Sequence, residues 1–303
     1  MVNDFILENY EQKISCHAQI GGIDSYLVNN GPSAGTDISV FNTGGGLRFR
    51  VMSGNGLDIA DAFFNQFCLS SMNPMGPLVT AGGPYPGLTR SGFMKSWFGK
   101  EKPDRRYMAT SVESVRQPDP QRGIYSISLS GKVFYSTEEG PVIRLSRNIG
   151  CVLGMPKITV TDTIVNTGAQ KAKNRMSYIF NLGYPLVDDC CLLTIQKKRD
   201  DDAGSQSRID LNTPVPVLVT PETDRSGIYR CALSNPKIGI SMHMNFRKAQ
   251  FQHLEIIPDL KPGRYSISLA PKTSADADSM PEIEPGEEKT YSIEIEISRI
   301  QKR

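Results

Sequence analysis

Alternation of apolar and polar residues recurs through this chain, most clearly from Ile124 to the C-terminus, and it confines the fold to extended strands. Successive side chains of a strand point to opposite faces, so apolar residues two apart line a single buried surface. Ile238, Ile240, Met242, Met244 and Phe246 fall on one face, with Gly239, Ser241, His243 and Asn245 on the other. Tyr265-Ser266-Ile267-Ser268-Leu269 and Tyr291-Ser292-Ile293-Glu294-Ile295-Glu296-Ile297 repeat the pattern. So does Ile124-Tyr125-Ser126-Ile127-Ser128-Leu129-Ser130, which leads through a bend at Gly131 into Lys132-Val133-Phe134-Tyr135. The β-branched run Lys157-Ile158-Thr159-Val160-Thr161-Asp162-Thr163-Ile164-Val165 closes on a turn signal, Asn166-Thr167-Gly168. Helical periodicity is scarce: residues 57–69 read either as a short helix or as a hairpin with Asn65-Gln66 at its tip. An antiparallel all-β chain is expected, with strand content well above the ~20–25% of ordinary domains.

Two stretches read as loops. Residues 73–92 carry Pro74, Pro77, Pro84 and Pro86 among several glycines, which bars a central strand. Residues 197–207 place Lys197-Lys198-Arg199 before Asp200-Asp201-Asp202, a charge run that reads as a solvated loop rather than a metal site. No shift in composition divides the 303 residues, and no repeat of solenoid type occurs, so residues 1–303 read as one domain. A chain of this length can bury about three quarters of its unfolded surface and needs no metal or disulfide staple.

Charge and cysteines exclude several classes of function. With 34 basic and 32 acidic residues the net charge is +2, which offers no electrostatic case for nucleic acid or an anionic membrane. None of the six cysteines (Cys16, Cys68, Cys151, Cys190, Cys191, Cys231) shows Cys-x-x-Cys or zinc-ligand spacing, so reduced and mostly buried thiols are expected. Met1-Val2-Asn3-Asp4-Phe5-Ile6-Leu7-Glu8 lacks the pattern of a signal peptide, no apolar run could span a bilayer, and a cytoplasmic location is expected. Gly54-Asn55-Gly56-Leu57-Asp58-Ile59 lacks the third glycine of a dinucleotide fingerprint, and Gly44-Gly45-Gly46 is not followed by Lys-Ser/Thr. There is no Gly-x-Ser-x-Gly elbow. No cofactor and no metal is expected.

The stretch Tyr178-Ile179-Phe180-Asn181-Leu182-Gly183-Tyr184-Pro185-Leu186 is the most specific signal in the chain. It resembles the inner-strand signature of one branch of the aldose 1-epimerase, or galactose mutarotase-like, superfamily, commonly Tyr-His-x-Asn-x-Gly-Tyr-Pro-Leu. Asn181, Gly183, Tyr184 and Pro185 match, and Ile179 stands at the histidine position. Four further segments resemble the same branch in the same order: Thr43-Gly44-Gly45-Gly46-Leu47-Arg48-Phe49 with Asn55-Gly56-Leu57-Asp58-Ile59, residues 143–168, residues 230–273, and Pro285-Gly286-Glu287. Asn55 stands where the branch usually has arginine. The resemblance implies a single-domain antiparallel β-supersandwich with a concave groove that takes a sugar or sugar-derived small molecule.

Mutarotation needs one group to protonate the ring oxygen of a pyranose and another to accept the proton of the anomeric hydroxyl. The resemblance places the carboxylate base in a run commonly Gly-Leu-Glu-Pro-x-Thr. The matching run is Ser268-Leu269-Ala270-Pro271-Lys272-Thr273, with Ala270 at the glutamate position. The usual His-Gly-Arg loop also has no counterpart, because the region from Trp97-Phe98-Gly99 to Arg105-Arg106-Tyr107 is short and holds no histidine.

Three histidines remain, of which His17 reads as a surface residue. His253 falls where the branch usually has a ligand-contacting tryptophan, and it is the acid/base candidate because its ordinary pKa lies near neutrality; Glu255 is its candidate partner. Asn181, Tyr184, Arg147, His243, Trp97 and Lys272 are candidate substrate-binding residues, the amide and phenol suiting sugar hydroxyls and the indole suiting a sugar face. Three readings stay open: a carbohydrate-binding protein without the usual chemistry, an epimerase with relocated acid/base groups, and a structural or regulatory protein. The sequence leaves the oligomeric state open.

Overall fold

The structure, a computed structural model, describes residues 12–31, 33–72, 94–98, 108–137, 140–173, 176–197, 205–211, 216–220, 222–223, 225–276 and 279–300. Of these, 62% lie in strands and 3% in helix, and every strand pairing is antiparallel, as the period-two pattern requires. The expected loop at 73–92, residues 99–107, the Asp200–Asp202 run and the N-terminal segment through residue 11 lie outside the described residues.

Two large sheets face each other. The ten-stranded sheet runs in the order Gly22–Leu27, Asp37–Asn42, Leu47–Met52, Asp58–Phe64, Met94–Phe98, Met176–Gly183, Arg264–Lys272, His253–Lys261, Val217–Val219, with Phe67–Cys68 beside Asp58–Phe64. The nine-stranded sheet runs Ser205–Ile209, Leu192–Lys197, Ile228–Asn235, Ile240–Arg247, Glu288–Arg299, Lys157–Asn166, Gly140–Val152, Ser126–Thr137, Met108–Arg116. The last long strand, Glu288–Arg299, is thus interior, paired with Lys157–Asn166 on one side and Ile240–Arg247 on the other. One apolar cluster draws on both sheets, with Phe49, Ile59, Phe180 and Leu269 from the first and Leu129, Ile149, Met244 and Ile295 from the second. Each such buried side chain contributes roughly 1.5–3 kcal/mol over its exposed state. Phe251 fills the middle, its ring 5.5 Å from Tyr178, 5.7 Å from Phe246 and 5.4 Å from Tyr291.

Residues 57–69 form a hairpin and not a helix. Asp58–Phe64 turns at Asn65, which holds φ 52°, and returns through Phe67–Cys68. A short polar side chain tolerates this left-handed conformation, whereas a helix has no place for it. The expected loop over 197–207 is shorter than its charge run suggested, because Lys197 pairs with Ser205 and Gln196 with Gln206. The bend anticipated at Gly131 falls opposite a register shift in the neighbouring strand between Val112 and Ser114.

Arg147 corrects one expectation. Expected to bind substrate, it lies instead between the sheets and is 1% exposed, so it is not a groove residue. Its Nε and Nη2 donate to Asp162 at 2.8 and 2.6 Å, and Nη1 donates to the Gly56 carbonyl at 2.9 Å and lies 3.5 Å from Asp58. Tyr178 donates its hydroxyl to the same Asp162 at 2.6 Å. Burial, then the adjacent Asp162 charge, pushes the Tyr178 phenol well above its ordinary pKa, so it remains a neutral donor. All three guanidinium nitrogens are thus engaged within the protein. Removing one partner of a buried charge pair leaves the other uncompensated, which typically costs about 3–5 kcal/mol. Arg147→Ala is therefore expected to lower unfolding free energy by about that amount in urea titrations followed by circular dichroism, and a loss below ~1 kcal/mol would contradict the assignment.

Candidate functional site

Tyr178 reaches Asp162 of the opposite sheet, so the side chains that alternate with it turn away from the inter-sheet core. These are Ser177, Ile179, Asn181 and Gly183. Pairing of Ser177 with Lys272 and of Phe180 with Leu269 sets a register that brings Ile179 opposite Ala270 on the adjacent strand. On the next strand His253 pairs with Lys272, Glu255 with Ala270 and Ile257 with Ser268. Seven polar or charged residues thereby share one sheet face around an apolar pair: Ser177, Asn181, Ser266, Ser268, Lys272, His253 and Glu255.

This face is sheltered. Asn181 is 0% exposed, Ser268 1%, Ala270 2% and Lys272 5%, while Ile179, His253 and Glu255 are half-buried. Asn181 accepts a hydrogen bond from Ser268 Oγ at 2.8 Å, but its own Nδ2 has no hydrogen-bond partner. His253 Nδ1 and Ser274 Oγ are likewise buried and without partners. Buried polar atoms are nearly always paired, so these three, on Met176–Gly183, on His253–Lys261 and two residues past the end of the strand Arg264–Lys272 that lies between them, form an unusual concentration. The ammonium of Lys272 sits 3.0 Å from the Glu255 carboxylate. Burial and the Lys272 charge lower the His253 pKa from its ordinary value, with Asp276 opposing them, so its imidazole is neutral at pH 7 and accepts rather than donates a proton.

The motif glycine has a local explanation. Ser71 N–H donates to the Asn181 carbonyl at 2.9 Å, Gly183 N–H donates to the Leu69 carbonyl at 3.1 Å, and Ser70 bridges to Leu182. A Cβ on Gly183 would meet the Ser70 carbonyl oxygen at 2.6 Å and Ser71 Cα at 2.7 Å, so only glycine lets this segment approach.

Other expected site residues lie elsewhere. His243 stands on the nine-stranded sheet, on the face away from Met242 and Met244, with Nε2 3.0 Å from Ser298 Oγ and Glu296 opposite in register. It therefore does not share the Asn181 face. Tyr184 lies just beyond the end of Met176–Gly183 and is 64% exposed, not enclosed. Trp97 pairs with Ser177 through its backbone, and its side chain lies outside the described residues. Ser268 and Ser274 were not singled out from sequence, although Ser266, Ser268, Ala270 and Lys272 recur at the two-residue period of one face. Among the described residues, no group of three or more His, Cys, Asp or Glu is placed to hold a metal ion. No helix among them is long and apolar enough to cross a membrane.

The architecture is that of the galactose mutarotase-like β-sandwich. A candidate aldose 1-epimerase from Klebsiella pneumoniae superposes with TM-score 0.72 at 14% identity, over 96% of this chain and 86% of its own. A galactose mutarotase-like protein from Clostridium acetobutylicum gives 0.69 at 8% identity, over 93% and 100% of the two chains. Galactose 1-epimerase from Lactobacillus acidophilus gives 0.58 at 9% identity, over 93% and 100%. The chain belongs to the DUF4432 family, a domain of unknown function whose family model matches residues 106–297. No curated protein matches it in sequence.

The two half-buried histidines make acid stability diagnostic. Burial lowers the His243 pKa, with Glu296 opposing, and lowers that of His253. A folded-state pKa below the unfolded value of about 6.5 means that the unfolded chain binds more protons as pH drops. Stability from these groups is complete above about pH 6.5 and is lost as pH falls towards their folded values. His243→Gln is expected to flatten the decline of the urea midpoint between about pH 6.5 and 5.5, and an unchanged slope would show that His243 does not contribute.

Proposed function

We propose that the face bearing Asn181, Ser268, Lys272, Glu255 and His253 binds a sugar or sugar-derived small molecule, and that its centre no longer performs the proton exchange of a mutarotase. One observation carries the binding reading. Asn181 is wholly buried, its oxygen is held by Ser268 Oγ, and its Nδ2 is left without a protein partner. Fixing the oxygen orients the carboxamide, so the N–H bonds are presented for a hydroxyl or ring oxygen to accept. An unpaired buried donor costs about 1–3 kcal/mol, a cost that a bound acceptor removes.

The loss of chemistry rests on the central pair. Ile179 and Ala270 stand opposite one another on adjacent strands, at the positions where the resemblance implies an acid and a base. Neither side chain can donate or accept a proton, and a missing acid or base typically costs about 10²–10⁴ in rate. The names of the similar structures agree with a sugar ligand, although at 8–14% identity they support the fold alone.

A second reading has one specific observation in its favour. Glu255 is the cross-strand partner of Ala270, and His253 lies two residues before it on the same face. A carboxylate and a neutral imidazole therefore flank the vacated position. Isothermal titration against a panel of aldoses and sugar acids, followed by anomer-exchange NMR on each binder, separates the readings. Binding without faster anomer exchange, weakened about tenfold by Asn181→Ala, is the expected result. Exchange accelerated by the wild type and abolished by His253→Gln would establish the relocated-site enzyme instead. Absence of binding across the panel would refute both.

A further inference from the structure

The nine-stranded sheet carries a trough of its own, on the face turned away from the ten-stranded sheet. Its floor is a row set by strand register, in which Arg116 pairs with Ser128, Ser128 with Gly150, and Gly150 with Thr159. Leu129, Ile149 and Val160 alternate with these residues and enter the core, which fixes the direction in which the row points. The cavity over it measures about 730 Å³, within the roughly 300–1,000 Å³ of small-molecule sites. It lies on the opposite side of the sandwich from Asn181 and is independent of the sugar-binding reading above.

The lining chemistry selects a ligand class. Ser126, Ser128, Ser130, Asn148 and Thr159 supply groups that both donate and accept hydrogen bonds, while Val152 and Met155 supply apolar contact. Arg116 and Lys157 are the charged lining residues, and no carboxylate lines the cavity among the described residues. Lys157 is committed to Glu294 at 2.5 Å, and the nearby Glu113 is committed to Lys132. Arg116 is left with no carboxylate partner among the described residues, at one end of a hydroxyl-lined floor.

Gly150 is a second observation. Glycine in a strand interior weakens the strand and usually marks a bulge or a close backbone approach. Neither applies here. A Cβ on Gly150 would meet nothing nearer than Asn148 Oδ1 at 3.4 Å and the Ile127 carbonyl oxygen at 3.9 Å, an ordinary contact. What a side chain at this position would occupy is the trough.

We infer that this trough is a ligand site for an anionic polyhydroxylated small molecule, a sugar acid or a sugar phosphate, whose charged group is read by Arg116 and whose hydroxyls lie along Ser128, Gly150 and Thr159. Amide-resolved NMR titrations of the full chain with glucuronate, glucose 6-phosphate, glucose and inorganic phosphate test it. Saturable shifts at Ser128, Gly150 and Thr159 are expected with glucuronate or glucose 6-phosphate, and the stronger of the two identifies the anion. Affinity should fall at least about tenfold in Arg116→Gln, which removes a charge-assisted contact, and be abolished in Gly150→Leu, which fills the floor. Arg116→Gln is an exposed substitution that keeps the test available should Gly150→Leu lose its fold. Shifts confined to the Asn181 face, equal binding of inorganic phosphate alone (an adventitious ion only), equal binding of neutral glucose, no shift with any probe, or unchanged affinity in a folded variant would each overturn the assignment.

Discussion

A buried guanidinium holds the two sheets in register. Arg147 leaves the nine-stranded sheet, meets Asp162 of the neighbouring strand, and accepts no substitute for its contacts to Gly56 and Asp58 at the start of a strand in the other sheet. Apolar packing alone tolerates sliding, since one Leu–Ile contact is much like another. A bidentate ion pair has one geometry in which every donor is satisfied, and all others leave a charge exposed to a low-dielectric interior. Tyr178 extends that geometry into the central strand of the ten-stranded sheet through the same carboxylate. The orientation of the motif strand, and so which of its residues turn towards the candidate site, follows from a contact on its reverse side.

That arrangement separates scaffold from chemistry. Asn181, Gly183 and the Leu69–Ser71 segment are tied together by backbone hydrogen bonds and by close approach at a glycine. Such contacts hold whether or not Ile179 is a histidine. This sheet keeps a sheltered polar face around the apolar pair Ile179 and Ala270. The ion pair of Lys272 with Glu255 adds a charge pair beside Ala270.

The parts of this structure that depend on neighbouring residues were legible in the sequence. Ile240, Met242, Met244 and Phe246 announce a strand and its buried face because the period of two is local. The short distances that define the interior are another matter. His243 sits in a clearly alternating strand that sets it on the face away from Met242 and Met244, whereas Arg144 and Arg147 alternate poorly with their neighbours. Parity cannot say which side holds a groove and which holds a core, since that depends on how two sheets stack. A charged residue on an inner face reads as a groove residue until its partner is known, and Asp162 offered no signal beyond being one polar residue in a β-branched run. Residues 57–69 stayed ambiguous for a similar reason: the left-handed turn at Asn65 is a single residue, too brief to produce a pattern.

The position of Glu288–Arg299 bears on how the molecule is made. This strand is wedged between Lys157–Asn166 and Ile240–Arg247, so its two neighbours, far apart in the chain, never pair with each other. Without it, both would present bare hydrogen-bonding edges, and the nine-stranded sheet would fall into two halves. A chain that has not yet placed this strand is an incomplete sandwich, the condition in which open strand edges recruit other chains. Closure waits on a contact of high sequence separation, which ranks this fold among those that assemble slowly.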